Sequence, residues 1–456
     1  MSNTLWSPRL VSDGAPIYRA IADALERDVE SGILRDGARL PTHRELAAKL
    51  RVTPLTITRA YKEAARRGLI DSTVGRGTFV RTTSAIDMAH SDVAQLDLAK
   101  NIVSGNETID IDPRLLSSLR NVMRDAEYQP AEGSLRHRVA AAAWIGRSGL
   151  DVEAARVVIT PGAQQAIVAI LAALCQPGDV VLAEEWTYPR FRAIAGLLHL
   201  NLAPLELDEY GVVPQSFERS IRRSAPKAAY IVPTFQNPTG AVMPEKRRRE
   251  IAAIARKHNL PIIEDDVYGF LLPDTITPVA AFAPEIVSFV TSLSKSVTPS
   301  LRLGFAAVPE SLVERVTDAC GALTAFTSTV AAETFVSIFE SGMASRIVER
   351  KRGVIVTNRR AADRALGTMP VIAHEMSPHI WLELPRGVEA HDVADRARLR
   401  GVGVAPASAF AVTSESSSSA IRISIGATAN ARQLESAIRL IVSLIEHPRM
   451  ATATIV

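Results

Sequence analysis

Lys295 stands in TSLSKSVTPSLRLGF (residues 291–305), behind Ser292 and Ser294 and seven residues before Arg302. Such a lysine reads in two ways. It is a solvated charge on a polar loop, or it is an amine aimed into a pocket whose hydroxyls and guanidinium hold an anion. An amine nucleophile must shed its proton, and burial or cationic neighbours lower its pKa. Other segments supply complementary groups. Glu264-Asp265-Asp266-Val267-Tyr268 follows LPII, and carboxylates that end a buried strand are costly unless paired. Asp265 is the candidate to meet a cationic ring nitrogen, and Tyr268 could donate to a ring oxygen. Asn237, in PTFQNPTG, is turn chemistry that also points an amide into a crevice. Tyr188 precedes Pro189 in EEWTYPRF, as a platform for a planar ligand or as a core aromatic. Ala163 and Gln164 open a helical pattern after Gly162, where backbone N–H groups can hold an anion. A lysine for an aldehyde, an acid for a ring nitrogen, an aromatic platform and an anion loop are what pyridoxal 5'-phosphate requires.

The elements that must position these residues alternate in an α/β manner. VVIT (157–160), VVLAE (180–184), AAYIVP (228–233), LPIIED (260–265) and IVSFVTS (286–292) read as strands. Helical patterns separate them, and open α/β sheets bind ligands at their strand ends. EKRRREIAAIARKH is an amphipathic helix whose basic run, Lys246–Arg249, reads as a solvated face. Beyond about residue 330 a smaller α/β unit is expected. It has a helix near 332–366, strands IWLELP (380–385) and IRISIG (421–426), and a terminal helix over 430–446.

The first 82 residues differ in character. Residues 1–81 hold 14 Lys/Arg against 9 Asp/Glu, although the whole chain of 456 residues carries only +3. A basic head on a near-neutral body suggests an anionic partner for the head. PIYRAIADALERDVESG places Ile17, Ile21, Leu25 and Val29 on one helical face. Thr42 and Glu45 form a capping box before a second helix. Thr53 and Pro54 open a third, and LIDSTVGRGTFV reads as a two-stranded wing. This is the order of a winged helix-turn-helix, whose third helix enters the major groove. Candidate DNA contacts are Arg44, Thr53, Thr56, Thr58, Arg59, Lys62 and Arg76. Residues 83–97, small and mostly polar, read as a linker. The two cysteines lack metal-ligand spacing, and the N-terminus carries no signal-peptide pattern. No membrane span and no metal site are expected.

LPTHRELAAKL, TITRAY and GRGTFV resemble the GntR family of bacterial repressors across roughly residues 14–82. Pro54 and Leu55 depart from the basic or amide residue often found there in that family, so base reading is expected from Thr53, Thr56, Thr58 and Arg44. Asn-Pro-x-Gly, then Asp-x-x-Tyr, then Ser-x-Ser-Lys resembles the fold-type I, class I/II aminotransferases over roughly residues 98–446. That resemblance implies Lys295 as the internal-aldimine lysine and Asp265 on the ring nitrogen. It implies Asn237 and Tyr268 on the ring oxygen and Tyr188 stacked on the ring. Ala163, Gln164, Ser292, Ser294 and Arg302 are implied at the phosphate, with Tyr128 from a neighbouring subunit. Arg422 is implied at an effector's carboxylate.

The fusion resembles the MocR group of regulators. It implies an α+β multidomain chain. A winged helix-turn-helix (1–82) is followed by a large fold-type I α/β domain (98–456), whose small C-terminal lobe begins near 331. The function implied is a cytoplasmic bacterial, pyridoxal-phosphate-dependent, DNA-binding homodimer. It would sit at the nucleoid on an operator with paired half-sites, and would sense an amine or amino acid through an external aldimine. An aminotransferase with an accessory DNA-binding head is the alternative, because the residues for turnover are all present.

Overall fold

The structure is a computed structural model that describes residues 6–8, 17–30, 33–34, 38, 40–66, 69–73, 77–80, 96–105, 113–124, 127–413 and 419–447. The chain divides into two compact units, Met1–Val93 and Ala94–Val456.

In the first unit, helices Ile17–Glu30, His43–Leu50 and Pro54–Arg66 precede the antiparallel strands Ile70–Thr73 and Gly77–Val80. The 3.6-residue period sends Ile21, Leu25 and Val29 into a core shared with Leu46, Ile57, Ala60 and Tyr61. The capping box forms as read. Thr42 N donates to Glu45 Oε2 at 2.8 Å, and Glu45 N donates to Thr42 Oγ1 at 3.3 Å. Arg51 then turns the chain through the left-handed region (φ 53°) into the third helix. Arg76, at the expected wing tip, lies outside the described residues, as does most of the expected linker.

The second unit is built on a seven-stranded sheet. Its order is Val157–Thr160, Gly304–Ala307, Val287–Ser292, Ile262–Asp265, Ala228–Ile231, Val180–Glu184, Asn201–Leu205. Only Gly304–Ala307 runs against its neighbours. Neither that strand nor Asn201–Leu205 was expected from sequence. The first is short and glycine-led, and the second is fully buried only at Leu205, with Asn201 and Pro204 exposed. Period-2 alternation explains the two-sided core. Ile159, Ile262 and Phe289 enter one cluster, while Val158, Ile263 and Val290 enter the opposite one.

The smaller sheet orders Val371–Ile372, Ile380–Glu383, Ala420–Ile423 and Ala405–Pro406, all antiparallel. Its core takes in residues from helices Ala390–Arg398 and Ala431–Glu446. The helix expected near 332–366 is two, Thr329–Glu340 and Met343–Leu366, broken where Gly342 adopts φ 70°. Leu96 and Asp97, placed in the linker by sequence, pair in parallel with Val402 and Gly403 and so belong to this unit. The solvated face expected at Lys246–Arg249 also needs correction. Arg248 is 1% exposed and donates to Met243 O and Thr234 Oγ1 at 2.9 Å each.

Thr42→Ala removes one half of the capping box. The head is expected to lose about 1 kcal/mol of unfolding free energy, measured by denaturant titration of a signal from that unit. A change confined to the body would contradict the assignment.

Candidate cofactor site and nucleic-acid interface

Most of the ligand candidates converge on one cavity of about 600 Å³ at the C-terminal ends of the parallel strands. Its walls include Ala163, Gln164, Tyr188, Asn237, Asp265, Tyr268, Ser292, Ser294, Lys295, Arg302 and Arg422. The strand ends do the positioning. Ile262–Asp265 ends on Asp265, Val287–Ser292 ends on Ser292, and the loop after Ala228–Ile231 carries Asn237. Tyr128 is not among the cavity residues. It is 86% exposed, with its ring edge-on to Phe326 at 5.8 Å.

Asp265 is buried, and its Oδ2 accepts from the Tyr230 hydroxyl at 2.6 Å. Its Oδ1 meets no donor among the described residues. A buried acceptor left unpaired costs about 1–3 kcal/mol, so a donor from a ligand belongs there. Burial raises its carboxyl to about 7, against the Tyr230 hydrogen bond, which opposes the rise. The rest of the carboxylate run is paired. Glu264 accepts from Val279 N at 3.0 Å and Ala280 N at 2.8 Å, and Asp266 accepts from Gly269 N at 2.8 Å.

Lys295 sits in the turn Leu293–Ser296, and its Nζ donates to Asn101 O. Burial is the largest cause that lowers its pKa to about 8, followed by the charges of Arg422 and Lys351. Lys351, 3% exposed, donates to the carbonyls of Lys295 and Val297 at 2.9 Å each and so anchors that turn. The amine is thus held near the pH at which a substantial fraction is neutral and nucleophilic.

Arg422 is 4% exposed. Nη1 donates to Asn237 Oδ1 at 2.7 Å and Nη2 to Ala99 O, and the guanidinium lies 4.8 Å from the Phe410 ring. Burial lowers its pKa to about 10, and the ion still stays charged at neutral pH. Nε has no partner among the described residues. A planar anion such as a carboxylate fits this fork.

The anion cradle depends on absent side chains. Gly162, at φ 90°, precedes helix Ala163–Leu174 without a side-chain cap, which leaves the first N–H groups for a ligand. A Cβ on Gly304 would lie 2.5 Å from Gly162 C and 2.6 Å from Ala163 N. Only a glycine lets the neighbouring strand come this close. Gln164 Nε2 donates to the Tyr188 hydroxyl at 3.2 Å and ties the cradle to the aromatic wall.

Sequence reading missed several supports. Tyr230 was read only as a strand residue, although its hydroxyl holds Asp265 and its ring stacks on Phe191 at 3.9 Å. His379, fully buried and pushed down to about 3 by burial, bridges Gln236 O at 2.9 Å and Asn101 Nδ2 at 3.1 Å. Its ring packs against Tyr268 at 5.9 Å. These depend on contacts between distant segments, for which local spacing carries no signal. The residues present fit pyridoxal phosphate: an unpaired buried acceptor, a low-pKa lysine and a helix-terminal anion cradle line the same space.

In the head, Thr53 Oγ1 accepts from Thr56 N at 3.2 Å and lies 2.9 Å from Thr56 Oγ1. Thr58 Oγ1 donates to Pro54 O at 3.0 Å. Arg44, Thr53, Thr58, Arg59 and Lys62 are exposed, and Thr56 is half-buried. Arg44 lies on the second helix; the others lie on the third or at its start.

The aminotransferase class I and II model matches residues 94–441, and the model for bacterial regulatory proteins of the GntR family matches residues 17–80. The chain is 31% identical to the HTH-type transcriptional regulator YdeF of Bacillus subtilis, over 97% of each protein. It is 24% identical to the HTH-type pyridoxine biosynthesis transcriptional regulator PdxR of Corynebacterium glutamicum, over 77% of this chain and 79% of that one. Among solved structures, an archaeal alanine:glyoxylate aminotransferase superposes with a TM-score of 0.71 at 23% identity, over 79% of this chain and 93% of that one. This last likeness concerns the fold.

Arg422→Gln and Lys351→Met each remove a cation that disfavours the Lys295 proton. The midpoint for its reaction with an aldehyde is expected to move upward from about 8 in both variants. An unchanged midpoint in both would contradict the roles assigned to Arg422 and Lys351.

Proposed function

The chain belongs to the aminotransferase class I and II family and carries a GntR-family head, and on that premise we propose a transcriptional regulator that binds DNA through the head and responds, through pyridoxal phosphate in the body, to an amine or amino acid. The observation that carries this reading is the unpaired Asp265 Oδ1 in the cavity of Lys295 and Arg422, within a chain that also presents a recognition helix.

When bound, pyridoxal phosphate supplies an aldehyde that condenses with primary amines. Lys295 would present its amine to that group. Asp265 Oδ1 would accept the ring nitrogen's proton, and Asn237 and Tyr268 would hold the ring oxygen. Tyr188 would lie against the ring. Ala163, Gln164, Ser292, Ser294 and Arg302 would hold the phosphate. Arg422 would take the effector's carboxylate in a bidentate fork, exchanging its present partners Asn237 and Ala99 for it. Arg422 lies on strand Ala420–Ile423 of the smaller sheet and Asp265 on the larger. An effector held between them would draw the two lobes together.

A homodimer is part of this reading. Tyr128, exposed in one chain, would reach the phosphate of its partner. Exposed Leu116, Met123, Leu135 and Leu323 supply apolar surface for such an interface. Paired bodies would set the spacing of two heads on an operator with paired half-sites. Residues 1–82 would form the head, joined by a linker from 83 to the body, in a cytoplasmic protein found at the nucleoid.

Purified full-length protein is expected to hold pyridoxal phosphate with a visible absorption band that shifts with certain amines only. Those same amines should change DNA affinity and promoter output. Lys295→Ala should retain DNA binding while losing both the band and the response. If pyridoxal phosphate and the candidate amines leave DNA affinity and promoter output unchanged, the regulatory reading fails. The completeness of the lysine, aspartate and arginine set also supports an aminotransferase reading, and accumulation of pyridoxamine phosphate over two half-reactions would favour it.

A further inference from the structure

We propose that Leu55 determines operator specificity by packing against the 5-methyl group of a thymine. The proposal rests on the reading of the head as a DNA-binding unit.

Helix Pro54–Arg66 turns Ile57, Ala60, Tyr61 and Ala64 into the core of the head. The face away from that core carries Leu55, Thr58, Arg59 and Lys62, at i, i+3, i+4 and i+7, and all four are exposed. Leu55 is the apolar member of this stripe and is 61% exposed. A single exposed leucine is ordinary on a protein surface. What distinguishes this one is its place. It is the second residue of the helix expected to enter the major groove, where the N-terminal residues of a recognition helix contact base edges.

The hydroxyls beside it are directed elsewhere. Thr53 caps the helix through Thr56 N and lies 2.9 Å from Thr56 Oγ1, while Thr58 donates back to Pro54 O. Pro54 brings no N–H. The leading edge of the helix is therefore less polar than its threonine-rich sequence suggests. Exposed cations accompany it: Arg59 and Lys62 lie further along the same face, and Arg44 is exposed on the preceding helix. Cations suit phosphates, which position the protein without reading sequence. In the major groove the thymine C5-methyl is the apolar feature that a leucine can read. Leu55 thus faces a groove that offers one apolar recognition element, with the surrounding charge already complementary to the duplex.

The test starts from a randomised duplex pool selected with the purified full-length chain. In the selected duplex each thymine is then replaced singly by uracil, which removes the methyl and keeps base pairing. The expected result is one thymine per half-site whose replacement weakens binding about four-fold, the effect of losing one buried methyl. Leu55→Ala should bind the parent and that uracil duplex equally. Leu55 is exposed, so this variant is expected to fold, and the uracil series on the unaltered protein needs no variant. Uracil tolerated at every thymine would overturn the proposal, and so would a loss that persists unchanged in Leu55→Ala. If the pool yields no bound duplex, the DNA-binding reading fails and this inference falls with it; selected DNA that is indifferent to uracil defeats this inference alone.

Discussion

A carboxylate kept from water at the end of a central strand is the constraint on which the body depends. Asp265 occupies the centre of a seven-stranded sheet, where desolvation disfavours its charge. Tyr230 satisfies one oxygen and leaves the other without a partner among the described residues. The adjacent carboxylates are tied off separately, Glu264 by backbone amides and Asp266 by Gly269 N. The sheet therefore directs one unsatisfied acceptor into the cavity, a state that a protonated ring nitrogen relieves. The neighbouring cations act in the opposite sense on Lys295. Burial disfavours its proton most, and the charges of Arg422 and Lys351 add to the effect.

A second set of residues holds the first in place. Lys351 grips the backbone on both sides of Ser296, and His379 bridges the loop of Gln236 to Asn101. Asn101 in turn accepts from Lys295 through its carbonyl. Burial keeps His379 neutral, which adds no further charge to a cavity that already holds several cations. The cradle for an anion is made by what is missing, because Gly304 lets its strand approach the backbone of Gly162 and Ala163 closely. The head follows a different economy: a small core, a capping box and a left-handed turn suffice to present one helix face.

The elements that sequence expressed well are those whose signal is local. Short segments rich in apolar and β-branched residues marked five strands of the large sheet, and Thr42 with Glu45 announced the start of a helix. Asn237, Asp265, Tyr268 and Lys295 could be picked out because each stands in a short, distinctive run. The signal failed where tertiary contacts override pattern. Arg248, in a run of four basic residues, is almost wholly buried because Met243 O and Thr234 Oγ1 receive it. Gly304–Ala307 became a strand because two neighbours offered their edges. Tyr230 gave no hint that its hydroxyl would hold a carboxylate 35 residues away.

By itself the sequence determined two units of different character, most of the strands that carry the site, and which lysine, aspartate, asparagine and arginine were candidates for one ligand. Periodicity, capping residues and turn residues act over a few positions, so the linear chain carries them. Only the tertiary structure decided that Asp265 keeps one oxygen unpaired among the described residues, that Arg422 is buried beside Asn237, and that Leu55 faces outward while its threonine neighbours bond locally. Desolvation and hydrogen-bond satisfaction are set by whatever packs nearby, and those neighbours come from segments far apart in the chain.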